Sequence, residues 1–127
     1  MIEPGAPTDV LDPATLDQLL ALDEGGSGLI QEMYELFRDD YAGRMDAIQR
    51  AIETSNQEEL GEVAHAVKGA ASTMGASRAR ATASALETLA RSGTGDVPAP
   101  ELFLQLKANY QEALGALQAF IAGKSSP

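Results

Sequence analysis

The sequence predicts an all-α fold, an antiparallel up-and-down four-helix bundle with a short extra N-terminal helix. Three observations lead there. Apolar residues recur at helical spacing in four long segments. No run alternates apolar and polar residues with the period of a strand. Short polar connections join the segments, as they do in up-and-down bundles. At 127 residues, 44% of them hydrophobic, the chain is one domain's worth with a single core.

Residues 1–11, with Pro4, Gly5 and Pro7, are expected to form a flexible N-terminal tail. Asp12 followed by Pro13 is a helix start, a cap and then a first-turn proline. Leu16, Leu19 and Leu20 give that first helix a short apolar face ending before Gly25 and Gly26. Ser27 is a cap for a long second helix, in which Ile30, Met33, Tyr34, Phe37, Tyr41, Ile48 and Ile52 keep helical spacing until about Thr54 and Ser55. Asn56 with Glu59 three residues on resembles a capping box and opens the helix that carries His65. Gly75 interrupts it, and a further helix is expected from Ser77 to Arg91. The stretch from Ser92 to Pro98 is the clearest loop. Pro100 opens a last helix with Phe103, Leu106, Tyr110, Ala113, Leu114, Leu117 and Ile121 in one stripe, and residues 123–127 form a C-terminal tail. The bundle domain thus spans residues 12–122.

The absence of cysteine excludes disulfides and agrees with a reducing compartment. No apolar run approaches the roughly 18 residues of a membrane span, and no charged-then-apolar signal pattern opens the chain. A soluble cytoplasmic protein is the expectation, and an initiating Met1 with a short polar tail favours a free-standing one. A formal charge of −10 argues against nucleic acid as a partner. That charge is uneven: from Val63 to Gly95 four cations, Lys68, Arg78, Arg80 and Arg91, face a single acid, Glu87. A local basic area of this kind suits a partner with an acidic active site, unless Arg78 and Arg80 are simply solvated.

His65 is the only histidine. At about 100° per residue, Leu60, Val63, Ala64, Val67, Ala71 and Met74 cluster within roughly 60° of one direction, an apolar stripe, while His65 falls about 140° from Leu60 and faces solvent. Gly61 and Gly69 lie one turn to either side, with Ser72 a turn further and Lys68 on the flank. Each glycine costs a helix interior about 1 kcal/mol relative to alanine. Either something must approach this face closely, or the glycines are drift on a solvated surface. A neutral imidazole is a competent nucleophile near neutral pH. A hydrolytic triad or a zinc site needs partners that the chain does not offer; Glu58 and Glu62 are weak oxygen ligands beside one nitrogen. A phosphoryl acceptor needs less of its own protein: an exposed nitrogen and a nearby cation such as Lys68.

The run His65, Val67, Lys68, Gly69 and then Gly75 resembles the histidine phosphotransfer (Hpt) domain of multistep two-component phosphorelays. Ala64 before the histidine, Met74-Gly75-Ala76, Leu86-Glu87 and Phe37 extend the likeness over about residues 11–122. The chain departs from the family where Ala79 and Ala83 replace larger residues. The resemblance implies a phosphocarrier in which His65 is the phosphoacceptor, Lys68 helps hold the phosphoryl group and Gly69 keeps the imidazole accessible. It implies response-regulator receiver domains and a hybrid sensor histidine kinase as partners. No cofactor is expected to be bound, since Mg²⁺ comes from the receiver. With no glycine-rich nucleotide loop, autophosphorylation is not expected. Docking is expected on the face around Gly61, His65, Lys68, Gly69, Ser72 and Ala76, and the protein is expected to be a monomer. The rival readings are a non-catalytic helical interaction or inhibitory module and a metal-dependent enzyme or carrier.

Overall fold

The computed structural model describes residues 9–24, 26 and 28–125. The expectations for residues 1–8, for a Ser27 cap and for the last two residues lie outside them. Five helices follow one another: α1 (Pro13–Leu22), α2 (Gly28–Glu53), α3 (Gln57–Met74), α4 (Ser77–Ser92) and α5 (Ala99–Ser125). No strand occurs among the described residues. Helix α2 packs on α3 and α5, and α4 packs on the same two, which closes a four-membered ring; α1 lies against α2 and α3.

The local signals act as the sequence indicates. Asp12 caps α1 by accepting from the Ala14 N–H at 3.2 Å, with Pro13 in the first turn. Asn56 accepts from the Glu59 N–H at 3.1 Å and opens α3. At the start of α2, the Leu29 N–H donates to Asp23 Oδ2 at 3.0 Å, a contact from six residues upstream that the sequence reading missed.

Two boundaries move. The expected N-terminal tail does not include Val10 and Leu11, which pack on the core, and the Asp12 N–H donates to the Gly75 carbonyl at 2.7 Å. The expected tail from Gly123 is helical through Ser125, where α5 ends, and Gly123 is not among the glycines with positive φ.

The core holds the predicted stripes. Ile30, Tyr34, Phe37 and Ile48 of α2, Leu60, Ala64, Val67, Ala71 and Met74 of α3, and Phe103, Leu106, Tyr110, Ala113, Leu117 and Ile121 of α5 are all buried. Tyr110 stacks on Phe37 with ring centroids 4.1 Å apart and donates its hydroxyl proton to the Phe37 carbonyl. Burial pushes that hydroxyl's pKa up to about 12. Helices α3 and α4 pack against each other, and small residues are buried on both: Ala64 and Ala71 on one, Ala79, Ala83 and Ala90 on the other.

Gly75 makes that pairing possible. At φ 70° it ends α3 in the left-handed region, with its own N–H donating to the Ser72 carbonyl and the Ala76 N–H donating to the Ala71 carbonyl at 2.8 Å. A Cβ there would also stand 3.1 Å from Thr15 Cβ and 3.3 Å from the Asp12 carbonyl oxygen. Gly75→Ala is expected to lower unfolding stability by roughly 1–2 kcal/mol, read as a lower urea midpoint at unchanged slope.

Candidate functional site

His65 sits in the middle of α3 on the side away from the core, with 62% of its side chain exposed. It is not without a side-chain partner. Its Nδ1 lies 2.9 Å from Oε2 of Glu87, which reaches over from α4. Glu87 is the only charged residue buried among the described residues. Three groups converge on its carboxylate: Lys68 Nζ at 2.7 Å from Oε1, and both His65 Nδ1 and Arg91 Nε at 2.9 Å from Oε2.

This environment lowers the Glu87 carboxyl pKa to about 2, chiefly through the Lys68 hydrogen bond, with Arg91 and His65 adding and burial opposing. At neutral pH the carboxylate is ionised and only accepts hydrogen bonds. The proton it receives must come from His65 Nδ1. In the neutral ring, Nε2 is then the nitrogen with the free lone pair. Lys68, Glu87 and Arg91 together carry one net positive charge on the Nδ1 side of the imidazole, which suits an anionic group arriving at the ring.

Other expected site residues divide. A Cβ on Gly69 would meet nothing within 4 Å, so the surface beside His65 is open there, and Ser72 is exposed one turn on. Gly61 is a correction: the expected open position is buried, and its added Cβ would stand 3.2 Å from Arg91 Cγ and 3.7 Å from Ala90 Cβ. Ala76 is a second correction. It is 0% exposed, because the chain reverses at Gly75 and the helical face of α3 does not continue through it. The basic residues also divide. Lys68 and Arg91 border His65 through Glu87, Arg80 lines a polar depression with Ser72 and Thr15, and Arg78 donates to Glu112 of α5 at 3.0 Å.

Comparison with known families places this geometry. Residues 32–120, most of the chain, match the family model of the Hpt domain. The chain belongs to the Hpt domain family. Its fold is similar to the crystal structure of histidine-containing phosphotransfer protein B from Pseudomonas aeruginosa PAO1, with a TM-score of 0.79 over 91% of this chain and 97% of that one, at 23% identity. None of the curated proteins matches the chain. Hpt domains are phosphocarriers that interact with receiver domains and kinases, and the function of this one is histidine phosphotransfer in two-component phosphorelays.

Within this Hpt domain, Glu87 and Arg91 are the site residues that sequence reasoning left unassigned. A signal for them existed: Glu87 is the lone acid between Val63 and Gly95, and Arg91 stands four residues after it. Among the described residues no three His, Cys, Asp or Glu side chains form a group able to hold a metal ion, and no helix is long and apolar enough to cross a membrane.

Proposed function

We propose that the phosphoryl group rides on Nε2 of His65, received from an aspartyl phosphate of one receiver domain and passed to the aspartate of another. The observation that carries this reading is the tie between His65 Nδ1 and Glu87, in a chain whose function is histidine phosphotransfer and which has one histidine. The Nε2 lone pair attacks phosphorus in line, the Nε2–P bond forms, and the bond from phosphorus to the aspartyl oxygen breaks with its electron pair leaving on the carboxylate. Because Nδ1 keeps its proton, the ring becomes cationic as the bond forms. Glu87 lies where that charge develops and stabilises it. Lys68 is one turn from His65 and takes phosphoryl oxygens while sharing Glu87. Passing the group on reverses each step.

Mg²⁺ belongs to the receiver in this reading, since the one carboxylate beside His65 is already held by Lys68, Arg91 and His65 itself. The phosphoryl group comes from a receiver aspartate and not from ATP bound by this bundle. Docking centres on His65, Lys68, Gly69 and Ser72. On the α2 side it extends along a shallow groove lined by Met33, Leu36 and Ala70, where Leu36 is 65% exposed. The partners are receiver domains, including that of a hybrid sensor histidine kinase, and the protein acts in the cytoplasm as a monomer.

The direct test mixes the protein with a phosphorylated receiver domain and Mg²⁺ and follows intact mass. The expected result is one acid-labile phosphoryl adduct. Receivers that bind and leave no adduct would instead make this face a docking or inhibitory module.

A further inference from the structure

We propose that Gly61 is the seat of Arg91, and that the seated Arg91 is a positioning residue for phosphotransfer, fixing the Glu87 carboxylate so that the His65 proton stays on Nδ1. The inference rests on His65 as the phosphoacceptor and adds two residues to what makes it one.

The two glycines flanking His65 are not equivalent. Space is open around Gly69, whereas Gly61 is covered by α4. What covers it is the arginine side chain: a Cβ on Gly61 would stand 3.2 Å from Arg91 Cγ and 3.6 Å from its Nε. A helical glycine forgoes stability relative to alanine, and here the missing methyl leaves the groove in which the arginine stem lies. With the stem laid across α3, Arg91 Nε donates to Glu87 Oε2 at 2.9 Å. The same oxygen receives His65 Nδ1 at 2.9 Å. One carboxylate oxygen thus joins the arginine to the imidazole.

An exposed pair four residues apart on a helix contributes little as a rule. This pair differs because its acceptor is buried and shared. Lys68 holds the other oxygen, but an ammonium is a point charge on a flexible stem and does not fix the plane of a carboxylate. Arg91 adds the second hold, its Nε–H on Oε2, and a carboxylate held at both oxygens does not turn freely. Without it the carboxylate is free to turn toward Lys68, and the neutral imidazole is free to hold its proton on either nitrogen. Molecules with the proton on Nε2 have no lone pair there to offer.

Because His65 is the only histidine, its two ring nitrogens give an unambiguous ¹⁵N NMR signature of the tautomer. The spectra are compared for the wild type, Arg91→Gln, Arg91→Lys, Gly61→Ala and Gly61→Leu, with circular dichroism confirming that each variant keeps its helices. The wild type is expected to carry the proton on Nδ1. Arg91→Gln and Gly61→Leu are expected to mix the tautomers, Gly61→Ala to do so less, and Arg91→Lys to recover part of the loss. The initial rate of phosphoryl transfer to Arg91→Gln is expected to fall roughly tenfold, about the worth of one charge-assisted hydrogen bond. Gly61→Ala supplies the arm that a merely structural role does not move, because alanine is the better helix former and the melting temperature is not expected to drop with the tautomer shift. Ring signals identical to wild type in Arg91→Gln and Gly61→Leu would overturn the inference. A wild type that shows the Nδ1–H form but accepts no phosphoryl group would sink the phosphoacceptor reading and with it the proposed role in transfer.

Discussion

His65→Gln is expected to take up no phosphoryl group from any receiver that loads the wild type. Glutamine keeps a nitrogen at similar reach, but its lone pair is delocalised into the amide and does not attack phosphorus. The carboxylate that touches the imidazole does not substitute, since Lys68 and Arg91 still hold it. The fold is expected to survive: the side chain is 62% exposed and outside the core, and substitutions of that kind usually change stability by no more than about 0.5 kcal/mol. Intact mass on acid-quenched and base-quenched samples checks both points at once, because a phosphoramidate survives base and is lost in acid. A base-stable adduct of equal yield on His65→Gln would move the phosphoacceptor off His65 altogether.

Much of this arrangement was legible in the sequence. The α3 wheel put His65 on the outer face because Leu60, Ala64, Val67, Ala71 and Met74 define the opposite side so sharply, and all five are buried. The boundaries of α1 and α3 followed from Asp12 and Asn56, whose caps act within a few residues. What the wheel does not contain is the neighbouring helix. Gly61 and Lys68 lie about 80–100° from Leu60, on the margin between core and solvent, and only the position of α4 decides that this margin is a seam. Glu87 and Arg91 lie on the corresponding margin of α4. The contact between Glu87 and His65 spans 22 residues of chain, a distance over which no local periodicity informs. Ala76 failed for a different reason: the wheel ends at Gly75, and the next residue faces inward as the chain turns into α4.

The site's central carboxylate carries the second large effect. Glu87→Ala is expected to slow phosphoryl transfer by roughly ten- to hundredfold, the worth of a hydrogen bond to a charged group lost from the transition state. Two losses act together, since the variant no longer fixes the proton on Nδ1 and no longer faces the ring as it becomes cationic. Lys68 and Arg91 do not compensate. At 33% and 55% side-chain exposure both are free to relax into water, and any cationic charge that stays near the ring opposes the charge it acquires. The same carboxylate leaves a signature in stability against pH. Its pKa is about 2 in the folded protein against an ordinary 4.5, so its ionised form is favoured by folding. The contribution is complete above pH 4.5 and is lost as pH falls toward 2. Denaturant melts of wild type and Glu87→Ala are therefore expected to differ most near neutral pH and to converge across that acid window. Midpoints that stay a constant distance apart down to pH 2 would mean that the three donors do not hold the Glu87 charge in solution, and the Nδ1 proton would then need another keeper.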